Sequence, residues 1–438
     1  MSILHRHPAR KVLFIALQII LVPLALVGLC SVTRGTPVRT VLAIGDREGP
    51  PPVGDSLFAH TVELFTGTLV ESGNRVDVLA NGIGTYPPLW RDIRSARQTI
   101  TVQMYFSQPG AIADSMAAAL VERARAGVRV KGLLDAFGSK NLRGAWEDRL
   151  TAAGVRVAWL RPLHWYTLYK ANNRSHVRVV VVDGRVGYTG GFGLADYWQG
   201  DGRSEDQWRE SNVRFEGPSV MHLQSAFAAA WAEATGELLT GDLYFPRASF
   251  EPRAGGVPAG LLFAQPTTGS TNAERFMALS IAGSRQRLWI TNSYFVPDDD
   301  FRRGLVRAAR RGVDVRVLTA GPKTDVKTTT WAGRARYRQL LEGGVKIYEY
   351  QPTMMHAKTM VVDGLWSTVG SLNFDNRSLA YNNESNLLVL DAGVGAAMDS
   401  LFLDDLTRSN EFTLDEVKAW GLKWRLLSSG ANLLSKLL

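Results

Sequence analysis

The sequence predicts an α/β protein of two similar domains, each a sheet sandwiched between helices, packed together as a pseudo-dimer. Three observations carry this. Short β-prone runs alternate with amphipathic helical stretches, the pattern of a sheet covered by helices. The alternation runs twice through the chain in the same order, as an internal repeat. One segment also recurs. Its first copy is His176-Val-Arg178, four valines, Asp183-Gly184 and then Gly190-Gly191-Phe-Gly193. Its second is His356-Ala-Lys358-Thr-Met-Val-Val-Asp363-Gly364 and then Gly370-Ser371-Leu-Asn373, with the histidines 356 − 176 = 180 residues apart. At 438 residues the chain has room for two or three domains of ordinary size.

Residues 1–35 read as a membrane anchor. Val12 to Val32 is nearly all apolar, interrupted by Gln18 and Pro23. That suits a spanning helix and exceeds the apolar core of a cleaved signal, about 7–15 residues. Arg6, Arg10 and Lys11 precede the segment, while Arg34 and Arg39 follow it. The bias favours a cytoplasmic N-terminus with the rest of the chain on the outer face of the membrane. Cleavage after the segment is the competing reading. Residues 36–54, rich in proline and glycine, read as a linker.

The first domain, residues 55–250, contains Ile93-Arg-Ser-Ala-Arg, Thr99-Ile100-Thr-Val, Tyr105-Phe106, a long Ala/Arg-rich amphipathic stretch and Gly127-Val-Arg-Val. The second, residues 260–412, answers with Ile281-Ala-Gly-Ser-Arg, Leu288-Trp-Ile-Thr, Tyr294-Phe295, an amphipathic stretch and Gly312-Val-Asp-Val-Arg-Val. Gly154-Val-Arg-Val then matches Gly344-Val-Lys-Ile. Each half therefore reads helix, strand, helix, strand, helix, strand, then the histidine strand. A Pro/Gly-rich break near Ala248 to Gly260 separates them. The tail, residues 413–438, interleaves Trp420, Trp424 and several leucines with Lys418, Lys423, Arg425 and Lys436. It suits a basic amphipathic helix lying on an anionic membrane, or a terminal helix capping the second domain.

The net charge of +9 and pI near 9.6 point to an anionic partner: acidic lipid, phosphate ester or nucleic acid. Cys30 is the single cysteine, which excludes an intrachain disulfide. Leu29 stands before it where lipidation requires a small residue.

Thr359 to Val362 is β-prone and ends in Asp363-Gly364, a hairpin signal. Side chains alternate faces along a strand, so His356 and Lys358 project together. An imidazole with an ordinary pKa near 6.5 serves as nucleophile or proton carrier at neutral pH, and lysine binds phosphate oxygen as a point charge. Ser371 and Asn373 are candidate donors to the same oxygens. Asp363, at the turn, is placed to fix the hairpin or a cation. Glu384 is a candidate carboxylate to orient His356, and Glu210 holds the parallel place after the first copy. Taken singly, each has a bland reading as core, turn or solvated residue. Repetition of the whole set argues for one site built from two half-sites, with two histidines flanking a phosphate. No group of metal-ligand spacing stands out, and no cofactor is expected.

On these residues the chain resembles the phospholipase D superfamily, whose signature is His-x-Lys-x4-Asp in two copies. Within it, Val186-Gly-Tyr-Thr-Gly-Gly, Trp208 to Pro218, Thr291-Asn-Ser-Tyr-Phe-Val-Pro-Asp and Asn373-Phe-Asp-Asn-Arg-Ser resemble bacterial cardiolipin synthases. The resemblance implies a two-fold α/β/α sandwich with the site between the halves, and a covalent phosphohistidine mechanism without a metal. It implies a catalytic set of His176, His356, Arg178, Lys358, Asp183, Asp363, Glu210 and Glu384, with Ser371, Asn373 and Gly191 binding substrate. His176 is the implied nucleophile and His356 the acid. Arg178 stands where the family has lysine, and Gly193 where it has asparagine. The expected activity is phosphatidyl transfer between phospholipids such as phosphatidylglycerol at a membrane. The alternative is hydrolysis of a lipid or nucleic-acid phosphodiester by the same half-sites. The apolar segment and aromatic tail favour lipid, so no nucleic-acid partner is expected.

Overall fold

The computed structural model describes residues 8–32, 38, 49–163, 165, 173–252, 254–267, 269–421, 424, 427 and 430. Its first half supplies β1 Glu71–Ala80, β2 Thr99–Met104, β3 Arg129–Asp135, β4 Arg156–Leu160, β5 Val179–Val182, β6 Val186–Gly190 and β7 Ser211–Glu216. The second supplies β8 Val257–Ala264, β9 Arg287–Asn292, β10 Asp314–Ala320, β11 Lys346–Tyr350, β12 Lys358–Val362, β13 Trp366–Gly370, β14 Glu384–Leu390 and β15 Ser409–Phe412. The two sets join in one sheet, ordered β15-β11-β10-β9-β12-β13-β14-β8-β1-β7-β6-β5-β2-β3-β4. The order outward from the β8–β1 junction is the same in both directions, apart from the added edge strand β15.

Sequence chemistry explains the pairing. In each half three strands run parallel (β2, β3, β4 and β9, β10, β11), which requires crossover connections. The amphipathic helices Ala111–Arg125 and Asp299–Arg310 provide the first of these in each half. The histidine strands β5 and β12 pair antiparallel to β2 and β9 and continue as hairpins to β6 and β13. The valines of β5 are buried on both faces. One hydrophobic cluster draws on both halves, packing Leu133, Val179 and Phe215 with Val361, Val369 and Leu387. The halves thus share a hydrophobic core along the seam.

Helix Ser56–Thr66 corrects the expected boundary at residue 55. Its Phe58 and Val62 lie in the core of the second half, with Phe276 and Trp366, and the Phe58 and Trp366 rings meet edge to face at 5.3 Å. This helix follows the apolar segment in sequence but clasps the other half in space. The expected linker lies outside the described residues except for Val38 and residues 49–54. The expected anchor forms helix Pro8–Val32. Its side chains are described for residues 12–25, and these are exposed. Among the described residues no helix is long and apolar enough to cross a membrane. In the tail, Trp420 packs on Tyr337 and Phe412, and Arg334 lies over the Trp424 ring at 5.1 Å. That part of the tail covers the second half; Lys423, Arg425 and Lys436 lie outside the described residues.

Both histidine hairpins turn on Asp-Gly with positive φ at each residue: 52° and 60° at Asp183-Gly184, 53° and 69° at Asp363-Gly364. That is the geometry of a tight type I′ turn. Each aspartate also accepts three consecutive backbone N–H groups. Asp183 takes those of Arg97, Gln98 and Thr99, and Asp363 those of Arg285, Gln286 and Arg287. The aspartates therefore pin the hairpin tip to the start of β2 or β9.

This predicts a stability role. Asp183→Asn tolerates the left-handed backbone but loses the charge on the acceptor, and should cost about 1–2 kcal/mol; Asp183→Ala, with three donors orphaned, should cost about 2–4 kcal/mol. Thermal unfolding of the two variants measures this. An alanine variant as stable as the parent would contradict it.

Candidate active site

The two histidines lie just before β5 and β12, at the seam between the halves. Each is clasped to the opposite half by main-chain bonds. His176 N–H donates to the Asn383 carbonyl (2.9 Å), and Asn383 N–H to the Arg174 carbonyl (2.9 Å). His356 N–H donates to the Arg209 carbonyl (2.7 Å), and Arg209 N–H to the Met354 carbonyl (2.9 Å). Asn383 and Arg209 immediately precede Glu384 and Glu210, so each clasp delivers a carboxylate to the histidine across the seam. His176 Nδ1 meets Glu384 Oε2 at 2.9 Å, and His356 Nδ1 meets Glu210 Oε2 at 2.5 Å.

This corrects the expected pairing of Glu384 with His356 and of Glu210 with His176. The pairs are crossed. The reason is the pseudo-two-fold packing: each glutamate stands where its strand emerges at the seam, facing the other half. A buried ion pair reinforces one clasp, with Arg209 Nε on both oxygens of Asp405 at 2.9 and 3.0 Å.

Arg178 and Lys358 are both buried beneath the histidines. Arg178 Nη1 donates to the His176 carbonyl (2.5 Å) and Nε to the Phe192 carbonyl (3.2 Å). Lys358 Nζ lies 2.9 Å from each ring nitrogen of His356. Burial first and then Arg178 beside it lower the His176 pKa to about 4, against the pull of Glu384. Burial, Lys358 and Arg178 hold His356 well below the ordinary imidazole value. Burial raises Glu210 to about 7 and lowers Lys358 to about 7, each partly offset by the other's charge. The buried cluster thus holds neutral imidazoles beside Arg178 and Lys358. Such an arrangement attracts an anionic phosphodiester while keeping a ring lone pair free.

The remaining predicted residues are placed differently from one another. Asn373 is buried, and its Oδ1 has no partner among the described residues. Ser371 was expected to donate to phosphate, but its hydroxyl donates to Glu384 Oε2 at 2.6 Å and accepts from Ser385 N–H at 2.9 Å. It braces the carboxylate. Gly191 touches the site by leaving room, since a Cβ there would overlap the Glu210 carboxylate. Asp183 and Asp363 are not part of the cluster. They lie seven residues along the chain from the histidines, about 23 Å for extended backbone, with their carboxylates engaged at the hairpin tips.

Sequence reading missed the aromatic lining. Tyr105 meets the His176 ring edge-on at 5.0 Å, while Trp198 and Trp208 meet the His356 ring at 5.3 and 5.1 Å. The parallel positions of Tyr105-Phe106 and Tyr294-Phe295 were visible as a repeat. Nothing in the spacing of Trp198 marked it, because it sits on a short 3₁₀ turn, Asp196–Trp198, outside the regular elements.

The family described as cardiolipin synthase, phospholipase D-like domain, matches residues 89–231 and 278–406, the two halves of the sheet. A cardiolipin synthase of Geobacillus kaustophilus is 32% identical over 371 residues, covering 84% of this chain and 73% of that protein. A cardiolipin synthase A of Pseudomonas syringae is 31% identical over 388 residues, covering 86% of this chain and 79% of that protein. The crystal structure of a phosphatidylserine synthase from Haemophilus influenzae superposes with a TM-score of 0.65 at 11% identity, covering 87% of this chain and 99% of that one, and so shares the fold. The chain belongs to the phospholipase D superfamily and is a cardiolipin synthase-like phosphatidyltransferase.

Proposed function

We propose that the protein transfers a phosphatidyl group between two phosphatidylglycerol-type lipids through a phosphohistidine on His176. The observation that carries this reading is the crossed pair of carboxylate–imidazole couples around one buried cationic pocket. Nδ1 of His176 is occupied by Glu384 and the Ser371 carbonyl, which directs the lone pair of Nε2 toward substrate. Nε2 attacks phosphorus, the bond to the departing glycerol oxygen breaks, and His356 gives that oxygen a proton. His356 then takes the proton of the acceptor hydroxyl, whose oxygen displaces the histidine nitrogen and restores the enzyme. Arg178, Lys358 and Asn373 hold the non-bridging oxygens. Burial keeps both imidazoles neutral, as the nucleophile requires. A bound phosphodiester offsets the Arg178 and Lys358 charges that depress His356, and so equips it to carry the proton.

Incubation of the purified protein with phosphatidylglycerol tests the reading, with cardiolipin and glycerol as expected products. Phosphatidic acid alone would instead assign hydrolysis. His176→Ala and His356→Ala should each lower turnover by several orders of magnitude. Arg178→Ala should lose about 2–4 kcal/mol of transition-state stabilisation while Arg178→Lys keeps substantial activity. Near-normal turnover in either histidine variant would overturn the mechanism.

The pH dependence follows from Lys358. Its pKa is lowered to about 7, so it loses charge as pH rises through that value and binds the anionic substrate more weakly. kcat/KM should fall above about pH 7, and the fall in kcat should lie at higher pH because bound phosphate favours the charged lysine. Lys358→Arg, charged throughout, should remove the alkaline fall. An unchanged alkaline limb in that variant would exclude Lys358 as its source.

We further propose that the segment Val12 to Val32 anchors the chain in the bacterial inner membrane with the catalytic halves on the periplasmic face. The supporting features are the apolar run, the exposed apolar side chains of residues 12–25 and the preceding cations. Protease added to spheroplasts should digest the catalytic halves; protection until lysis would put them in the cytoplasm.

A further inference from the structure

The two half-sites are unequal in one respect. In the second, Ser371 donates to the carboxylate oxygen of Glu384 that also holds His176, and Asn373 is a buried amide two residues on. The corresponding residues of the first are Gly191 and Gly193. Neither space is empty. Glu210 occupies the place of a side chain at Gly191, and a Cβ on Gly193 would lie 2.6 Å from the Trp198 ring. The Trp198 indole Nε1–H also reaches Glu210 Oε2 (3.3 Å), the oxygen that holds His356 Nδ1. Trp198 is buried, and its ring stands edge-on to the His356 imidazole, 5.3 Å away at 76°.

The indole is firmly held. Asp196, at the head of its turn, accepts the N–H groups of Ala111 and Ile112 at the start of helix Ala111–Arg125. The Trp198 ring is bounded by Phe106, Tyr197 and Trp208. A rigid aromatic in contact with both members of a couple, and donating to the carboxylate, restricts their orientation more than a solvated contact would.

We infer that Trp198 is a positioning residue that takes over in the first half-site the donor task of Ser371 in the second, donating to Glu210, and that it fills the space at Gly193, and so orients His356. The inference rests on His356 being a reacting group. It accounts for the glycines at 191 and 193 as an adaptation to the tryptophan rather than as a degraded half-site. It also leaves the phosphate-binding amide to one side only, at Asn373.

The test compares Trp198→Phe with the parent and with His356→Ala in the full-length protein, using phosphatidylglycerol vesicles. Phenylalanine keeps an aromatic ring but loses the donor. kcat should fall about tenfold or more, the scale of losing one buried hydrogen bond, with KM changed less than about twofold. The acid limb of kcat/KM should move to higher pH, since a donor that favours the charged carboxylate is gone; a shift of about half a unit is expected. The other titratable or charged groups facing Glu210 are His356, Lys358, Arg178, Arg209 and Tyr86, all unchanged in the variant. Parental kcat and pH profile would overturn the inference, and so would a lower kcat and melting temperature with the acid limb unmoved. If Trp198→Phe does not fold, Trp198→Gln and Trp198→Leu are compared instead: glutamine keeps a side-chain N–H donor and leucine has none, so the glutamine variant should have the higher kcat by about tenfold; equal kcat in the two would overturn the inference. Activity retained in His356→Ala would instead remove the two-histidine mechanism itself.

Discussion

Two histidines, two glutamates, an arginine and a lysine are buried together at the seam between the halves, and burial of so many ionisable groups is costly unless each finds a partner. The crossed couples supply those partners. Glu384 serves His176, Glu210 serves His356, and each carboxylate is held by further donors: Ser371 and Asn382 on one side, Trp198 and the Ser211 N–H on the other. Neither half can satisfy its own histidine. The site exists only when the sheet is continuous through β8 and β1 and the clasps at Asn383 and Arg209 are made.

That dependence explains the surrounding structure. The joint hydrophobic cluster and the Arg209–Asp405 pair hold the halves in one register, because a shift of even one ångström at the seam would separate both couples at once. The Asp-Gly corners act at the far end of the same strands. By tying the hairpin tips to the start of β2 and β9, Asp183 and Asp363 keep the histidine strands from sliding along their neighbours. The aspartates of the repeated motif thus serve the chemistry through strand register.

The low pKa values of the imidazoles and the raised value of Glu210 share one origin, the removal of water. A dry pocket containing Arg178 and Lys358 makes the neutral imidazole the resting form. It also makes the bound anion the natural completion of the charge balance. On the proposed mechanism, substrate binding and activation of His356 as proton carrier are then the same electrostatic event. The donors to the two carboxylates differ, Ser371 to Glu384 and Trp198 to Glu210, so the two histidine couples are not equivalent.

The sequence determined the α/β class, the two-fold repeat, the histidines and cations, the Asp-Gly turns and the identity of the glutamates. All of these are local, since period-2 patterning, turn chemistry and residue spacing are written along the chain. Tertiary structure decided which glutamate serves which histidine, because the partner lies 146 or 208 residues away across the seam and nothing in either copy encodes the crossing. It likewise decided that helix Ser56–Thr66 packs on the second half, that the Ser371 hydroxyl braces Glu384, and that Trp198 fills the space left by Gly193. Each of these is a contact between residues distant in sequence. Such contacts are fixed by how surfaces fit, and pattern along a single chain does not record that fit.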